Sequence, residues 1–138
     1  MSQNLSRKLF VNLAVSDLAK SVEFFRKLGF AFNQQFTDEN TACMILSEEA
    51  FVMLLARSRF QDFTKKPIAD ATAATEGIFA LSARSRAEVD AMVQTAIAAG
   101  GTHAADAIDH GFMYSWGFCD PDGHQWGVVW MDPAVIAR

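Results

Sequence analysis

The clearest pattern of apolar and polar positions lies near the end of the chain, in residues 119–133. An acidic turn, DPDG, is followed at once by alternating residues, an order that is typical of a turn leading into a strand. Because successive strand side chains point to opposite faces, Trp126, Val128 and Trp130 share one face and Gly127 lies on the other. A glycine inside a strand indicates a bulge or the close approach of another group. The pattern therefore predicts a terminal strand with an aromatic face, and it leaves open what lies opposite Gly127.

The first half of the chain predicts a strand, a helix and three short strands. Residues 9–15 (LFVNLAV) are apolar and β-branched enough for the first strand. Ser16 or Asp17 offers an N-cap for the helix, and Gly29 is placed to end it in left-handed geometry. The helix has an apolar stripe formed by Leu18, Val22, Phe25 and Leu28. The three strands are expected near Phe30–Phe36, Ala42–Leu46 and Phe51–Leu55.

The second half repeats this order after an irregular stretch. The stretch, Ala56–Glu76, has no sustained period, and its length favours packing over the domain or use as a lid. A strand at Ile78–Ala83 then precedes a capping box of Ser85 and Glu88, which starts a second helix. This helix should end at Gly100 after an apolar stripe of Val89, Met92, Val93, Ala96 and Ile97. Strands near Thr102–Ile108 and Phe112–Phe118 and the terminal strand complete the repeat.

The internal repeat determines the expected fold. Each βαβββ unit leaves one sheet face uncovered by its own helix, and two such sheets that curl against each other bury those faces around a cleft. We therefore predict an α+β fold in which two tandem βαβββ modules form a curled sheet around a central cleft. The expected boundaries are a single domain over 1–138, with module one at about 7–56, a connector at about 57–76 and module two at about 77–133. Function is expected in the cleft.

Composition narrows the possible partners. The 138 residues are 51% hydrophobic, which fits one globular domain. A net charge of −4 gives no electrostatic reason to bind nucleic acid or an anionic membrane surface. The first residues lack the apolar run of a secretory signal, and the longest purely apolar stretch, 51–56, is far shorter than the roughly 20 residues that span a bilayer. We expect a cytoplasmic protein whose two cysteines, Cys43 and Cys119, are reduced.

The repeat and two sequence phrases carry a resemblance to a known family. Residues 11–30 read VNLAVSDLAKSVEFFRKLGF, and residues 120–133 read DPDGHQWGVVWMDP. With these phrases, residues 7–133 resemble the vicinal oxygen chelate superfamily, which includes glyoxalase, bleomycin resistance protein and extradiol dioxygenase-like members. The chain looks closest to lactoylglutathione-lyase-like proteins that are named by similarity. Such motifs specify the fold well and the chemistry poorly, because one scaffold hosts several reactions and pure binding.

The resemblance also implies where the family's metal enzymes place their ligands. The matching positions in this chain are Phe10, Met53, Ile78 and Gly127. Three of these side chains are apolar and the fourth is absent, so none offers an imidazole or a hard oxygen. We therefore expect no metal or other cofactor, and lyase or dioxygenase activity is uncertain for this chain.

The candidate residues of the cleft are these four positions, three polar residues that share their strand parity, and one aromatic pair. In full they are Phe10, Asn12, Met53, Ile78, Ser82, Tyr114, Trp116, Gln125 and Gly127. A buried amide needs a hydrogen-bond partner, so the Asn12 amide binds either a ligand or the protein itself. For the aromatic pair, core packing competes with lining of the cleft.

The three histidines are alternative metal ligands. His124 follows the DPDG turn, where a structural role is the simpler reading. His103 and His110 accompany Asp106 and Asp109 in a predicted hairpin, and their spacing does not place four groups on one face. A solvated hairpin is therefore the simpler interpretation of this second group.

We predict a homodimeric protein that binds a small molecule and lacks the family's metal ligands, similar in type to resistance proteins that sequester drugs. The alternative is a glyoxalase-like lyase or a dioxygenase-like enzyme. It would use a divalent metal at a relocated histidine site, or metal-free acid/base chemistry on Tyr114, Asn12 or Cys119. A third reading is a structural or regulatory protein whose own side chains fill the cleft.

Overall fold

The computed structural model describes residues 7–136, which form two four-stranded sheets and four helices. The elements are β1 (Leu9–Val15), α1 (Leu18–Lys27), β2 (Ala31–Asn33), a 3-10 turn (Gln34–Phe36), β3 (Thr41–Ile45), β4 (Ala50–Ala56), α2 (Arg57–Gln61), β5 (Ile78–Ala83), α3 (Arg86–Ala98), β6 (Thr102–Asp109), β7 (Met113–Cys119), β8 (Gln125–Met131) and α4 (Pro133–Ile136). The chain divides into two compact units, Met1–Ile68 and Ala69–Arg138. The predicted α+β class with two tandem βαβββ modules is confirmed.

Each unit contains one mixed sheet of the same design. The strand order is β1-β4-β3-β2 in the first unit and β5-β8-β7-β6 in the second. In both sheets the first strand pairs in parallel with the last strand of the module, and the other pairs are antiparallel. The central cleft expected from the repeat stays a prediction.

Local sequence explains where the two long helices begin. The Asp17 side chain accepts a hydrogen bond from the backbone N–H of Lys20 and caps α1. The Ser85 side chain accepts one from the N–H of Glu88 and caps α3. The Glu88 carboxylate accepts from the N–H of Arg84, one residue before the cap, so the predicted capping box is shifted by one position. Both predicted helix starts are confirmed.

In the first unit, α1 covers the sheet face that carries Phe32. The guanidinium of Arg26 lies 5.6 Å from the Phe32 ring centroid on that face. The helix buries Ser21, Phe24 and Phe25, whereas the predicted stripe omitted two of these. The error arose because the phenylalanine pair spans adjacent helical positions, and α1 directs both rings inwards, with their centroids 4.9 Å apart.

In the second unit, α3 covers the face that carries the terminal tryptophans. Trp126, Val128 and Phe118 are fully buried there, together with Val89 and Val93 of the helix. Of the predicted helical stripe, Ile97 is 38% exposed and does not belong to this core. The terminal strand thus has the aromatic face that its alternation predicts.

The remaining differences concern short elements. The strand predicted at Phe30–Phe36 is only three residues long and continues as a 3-10 turn. The side chain of Asn33 accepts a hydrogen bond from the N–H of Gln35, which stabilises the turn in place of a longer strand. The predicted irregular stretch Ala56–Glu76 begins with the helix Arg57–Gln61. Within residues 7–136 no helix has both the length and the apolar character needed to cross a membrane.

Candidate ligand-binding site

The uncovered face of the second sheet contains a row of four very small residues that crosses all four strands. Ala80 of β5 is paired with Gly127 of β8, Gly127 with Gly117 of β7, and Gly117 with Ala105 of β6. Partners in register lie on the same face of a sheet, so these residues are side by side. Three strand spacings of about 4.8 Å make the row roughly 14 Å long. We call it the small-residue row.

Larger side chains stand on both sides of this row. The row before it includes Ile78 and Gln125, and the row after it includes Val129, Ser115 and Ile108. Together they enclose a trough with a cavity volume of about 320 Å³. Ligand cavities are typically about 300 Å³ or larger. The trough is therefore large enough for a small organic molecule.

The corresponding row of the first unit is filled. Asn12 of β1, Met53 of β4, Cys43 of β3 and Asn33 of β2 are paired in register at the equivalent positions. Where the second sheet has two alanines and two glycines, the first therefore has two amides, a thioether and a thiol. Burial raises the pKa of the Cys43 thiol, which keeps it protonated and unreactive at neutral pH. The two units share a backbone design and differ in the space that they leave on this face.

Seven of the nine predicted cleft residues lie on the uncovered faces. In the first unit these are Phe10, Asn12 and Met53, and Phe10 stacks on Phe51 with the ring centroids 5.1 Å apart. In the second unit they are Ile78, Ser82, Gln125 and Gly127, which share one face by register. Ile78 is 60% exposed and Phe10 is 51% exposed. Each unit thus presents apolar surface on its uncovered face.

The other two predicted residues, Tyr114 and Trp116, direct their polar atoms towards α3. The hydroxyl of Tyr114 donates to Asp90 Oδ1 at 2.6 Å, and Trp116 Nε1 donates to the same oxygen at 2.9 Å. Arg86 lies 5.5 Å from the Tyr114 ring centroid and 5.0 Å from that of Trp130, and it pairs with Asp109. The polar atoms of the pair thus pack towards α3, and Trp116 also lines the trough.

The same network shifts ionisation. The hydrogen bond to Asp90 raises the pKa of Tyr114, and burial adds to the effect. Hydrogen bonding by Arg86 lowers the pKa of Asp109. A tyrosine whose pKa is raised is a poorer general base near neutral pH, because less of it is ionised.

The DPDG turn that precedes β8 is stabilised by hydrogen bonds to Asp120. Asp120 is 4% exposed and accepts hydrogen bonds from the backbone N–H groups of Asp122 and His124 and from Trp126 Nε1. Burial raises the pKa of Asp120, and the nearby His124 opposes this rise. The position of His124 within this turn agrees with a structural role.

The segment before β5 packs on the same turn. Gly123 has a φ of 91°, and a Cβ at this residue would lie 2.9 Å from backbone atoms of Ala71 and Thr72. The hydroxyl of Thr75 donates to Gln125 Oε1 at 3.3 Å, at the side of the trough. Part of the predicted connector therefore packs on the module, as its length suggested.

Of the remaining histidines, His103 lies near one candidate residue, with its ring centroid 6.2 Å from that of Trp116. His103 Nε2 lies 3.3 Å from Asp106 Oδ1, and the ring of His110 stacks near Phe112 with centroids 6.2 Å apart. Among residues 7–136, no three His, Cys, Asp or Glu side chains form a group that could hold a metal ion. The side chains at the family's four ligand positions also do not fit a divalent metal, since they lack an imidazole or hard oxygen.

Sequence reasoning missed three of the four residues in the small-residue row: Ala80, Ala105 and Gly117. Gly117 was detectable as a second glycine inside a predicted strand. Its Cβ would lie 2.5 Å from the Trp126 carbonyl oxygen, so the close backbone approach requires glycine. At Gly127 a Cβ would meet nothing nearer than 3.8 Å, so free space, and not a close approach, adjoins this glycine.

Two mixed βαβββ modules with one face of each sheet covered by a helix are the architecture of the vicinal oxygen chelate fold. A family model described as "Bleomycin resistance protein-like N-terminal" matches residues 7–47. No curated protein matches the chain. Solved structures match over nearly its whole length.

Three of these structures illustrate the likeness. Hypothetical protein SA1046 from S. aureus is 28% identical, with 94% of each chain covered and a TM-score of 0.74. A glyoxalase/bleomycin resistance protein/dioxygenase family enzyme from Burkholderia phytofirmans PsJN is 16% identical, with 88% of this chain and 96% of that chain covered and a TM-score of 0.73. A lactoylglutathione lyase from Agrobacterium tumefaciens is 18% identical, with 93% and 96% covered and a TM-score of 0.65. The chain has the fold of the vicinal oxygen chelate superfamily, and the resemblance recognised in its sequence is confirmed.

Proposed function

We propose that this chain is a small-molecule-binding protein of the vicinal oxygen chelate fold that holds its ligand without a metal, in the manner of a sequestering or resistance protein. The observation that carries the proposal is the small-residue row on the uncovered face of the second sheet. The equivalent row of the first unit carries four larger side chains, whereas a Cβ at Gly127 would meet nothing nearer than 3.8 Å. The space that the small-residue row leaves on this face supports the proposal that a ligand binds there.

The chemistry of the surrounding residues favours binding over catalysis. The trough is lined mainly by apolar side chains and backbone, with Ser115, Gln125 and Asp106 as its polar members. A general base needs to reach the reacting proton and to have a pKa near the working pH. Tyr114, which the enzymatic alternative would use, is hydrogen-bonded to Asp90 on the helix-covered side. Burial of apolar ligand surface at about 25 cal/mol per Å² supplies affinity without such a base.

A homodimer is part of the proposal. β1 and β5 are edge strands of their sheets and carry Leu9, Phe10 and Ile78 with exposures of 61%, 51% and 60%. Large exposed apolar residues on the edge strand of a sheet commonly mark an interaction surface. Sedimentation velocity at several protein concentrations tests this: a single monomeric species up to about 100 µM would contradict it. A cytoplasmic location is also proposed, supported by the two free cysteines.

The experiment that tests the function compares two valine substitutions. Gly127→Val places a side chain in the small-residue row, and Gly77→Val places the same side chain where a new Cβ would meet nothing within 4 Å. We expect planar apolar drug-like compounds from a screening panel to raise the melting temperature of the wild-type protein. The Gly77→Val protein should keep these shifts, and the Gly127→Val protein should lose them.

Two further measurements separate binding from the enzymatic alternative. Elemental analysis of the purified protein should find no stoichiometric divalent metal, and mass spectrometry should recover each bound compound unchanged. A tightly bound metal at one equivalent would overturn the metal-free proposal. Conversion of a hemithioacetal or a catechol that is lost with chelator and with His124→Ala would establish the relocated metal site in its place.

A further inference from the structure

The dimensions of the trough limit the shape of its ligand. Its floor follows the small-residue row for roughly 14 Å, at right angles to the strands. The rows on either side are two residues away along β5, β7 and β8 and three residues away along the irregular β6, so on the three regular strands their Cα atoms are about 13 Å apart across the trough. The side chains of those rows stand up from the sheet and take up part of this width. The remaining space is long, flat-bottomed and about one aromatic ring wide.

The floor itself suits a flat surface. Gly127 exposes peptide backbone, Gly117 lies buried beside it, and Ala80 and Ala105 add only methyl groups. A planar ligand can lie on such a floor with every ring atom in contact, whereas a branched ligand would touch it at a few points. Because dispersion attraction grows with the number of atom pairs at contact distance, a planar molecule gains more here.

One side of the trough presents an oriented amide. Gln125 Oε1 accepts the hydrogen bond from the Thr75 hydroxyl, so the carbonyl end of this amide is already engaged by the protein. The other end of the amide is an NH₂ group, which can only donate. Gln125 lines the trough, and its neighbours in the row before the floor include the apolar Ile78. A ligand edge that faces Gln125 therefore meets a hydrogen-bond donor.

We propose that the ligand is an elongated planar aromatic molecule, one ring wide, with a carbonyl or similar acceptor on the long edge that faces Gln125. This inference rests on the proposed binding function and deepens it by naming the ligand class. Gln125 contacts the ligand directly and determines specificity, and Thr75 acts through it as a positioning residue.

Two isomeric probes test the shape. 9(10H)-Acridone has three linearly fused rings with a carbonyl on a long edge, and 6(5H)-phenanthridinone is its angular isomer with the same carbonyl and N–H groups. Both fluoresce, so their binding to the full chain is measured by anisotropy. We expect the linear probe to bind at least tenfold more tightly, because the angular probe is too broad for the trough.

Variants of the chain test the placement and the donor. Gly127→Val and, as a second filling variant, Ala80→Val should abolish acridone binding, and Gly77→Val should leave it unchanged. Gln125→Leu should weaken it three- to tenfold, the range expected for one neutral hydrogen bond. Thr75→Val should weaken it less than Gln125→Leu does, and not at all when combined with Gln125→Leu. Circular dichroism checks that each variant is folded.

The outcomes separate this inference from the proposed function. Equal affinity for the two isomers, lost in Gly127→Val, would overturn the linear ligand class and leave the binding function intact. Acridone binding that survives Gln125→Leu unchanged would overturn the acceptor. Absence of binding by either probe, while another compound binds in a Gly127-dependent way, would also overturn the inference alone. If folded Gly127→Val and Ala80→Val proteins bind every compound as well as the wild type does, both proposals fail.

Discussion

Two glycines that face each other across β7 and β8 should respond in opposite ways to the same substitution. Gly117 and Gly127 are cross-strand partners on the uncovered face. A Cβ on Gly117 would lie 2.5 Å from the Trp126 carbonyl oxygen, whereas a Cβ on Gly127 would have its nearest neighbour, the methyl of Ala80, at 3.8 Å. The prediction is that Gly117→Ala destabilises the fold and that Gly127→Ala does not.

The magnitudes follow from two opposing terms. Replacing glycine in a strand by alanine lowers the entropy of the unfolded chain and stabilises by about 0.4–1 kcal/mol where the native backbone tolerates it. At Gly127 an added methyl meets only ordinary van der Waals contacts, so this gain should be seen in full. At Gly117 the methyl meets backbone of the neighbouring central strand, and overpacking of this kind costs about 1–3 kcal/mol. Because the entropy gain is common to both variants, they should differ by the overpacking cost, about 1–3 kcal/mol, in their free energy of unfolding.

Urea unfolding at pH 7 measures this difference. Trp116, Trp126 and Trp130 all lie on β7 and β8, so their fluorescence reports on the strands that carry the substitutions. The midpoint should move down for Gly117→Ala and should stay or move up for Gly127→Ala, with unchanged slopes. Equal midpoints for the two variants would refute the reasoning, because they would mean that the close approach at Gly117 is not present in solution.

Three further predictions concern the helix-covered side and the terminal turn. Asp90→Ala should bring the pKa of Tyr114 back towards its ordinary value, measured by ultraviolet titration. It should also cost about 1–3 kcal/mol, because the Tyr114 and Trp116 donors lose their acceptor. Ser85→Ala should lower the free energy of unfolding by about 1 kcal/mol through loss of the helix cap, measured in urea. Burial raises the pKa of Asp120, so the folded state binds a proton on this carboxylate at a higher pH than the unfolded chain does. The wild type should therefore gain stability relative to Asp120→Asn as the pH falls from 7 through the raised pKa of the folded state.

Each of these has a clear contrary result. An unchanged Tyr114 titration in Asp90→Ala would show that the hydrogen bond is not formed in solution. A loss below about 0.3 kcal/mol in Ser85→Ala would mean that the cap is replaced by water or by another side chain. A stability difference between wild type and Asp120→Asn that is constant between pH 7 and pH 4 would contradict a raised pKa at Asp120.

The sequence predicts the local structure correctly where a single pattern of apolar and polar residues, or a single capping residue, determines it. The terminal strand alternates strictly, so the faces of Trp126 and Gly127 follow from its letters, and the structure agrees. The two helix starts follow from Asp17 and Ser85, whose side chains cap the chain locally. These features depend on residues close together in the sequence, and local hydrogen bonding is enough to determine them.

Other features depend on pairing between distant residues, which periodicity does not reveal. Tyr114 and Trp116 are two residues apart in β7, so the sequence shows that they share a face. That this is the face covered by α3 follows only from the pairing of Trp116 with the buried Val128. The small-residue row requires the registers of three strand pairs at once, and β6 contains two register shifts that alternation does not predict. The sequence therefore places Gly127 correctly and leaves the rest of the row unassigned.

The contrast between the two uncovered faces has a consequence for how this chain can change. Each module is held together by the face that its helix covers, where Phe24 and Phe25 pack in one unit and Trp126 in the other. The equivalent rows on the opposite faces differ, with amides and sulfur atoms in one unit and glycines and alanines in the other, while the strand pairing is the same. A duplicated module of this kind can acquire a new specificity through a few substitutions that leave its folding unit intact. Directed evolution confined to positions 12, 53, 80 and 127 should accordingly yield folded variants with different ligands at high frequency.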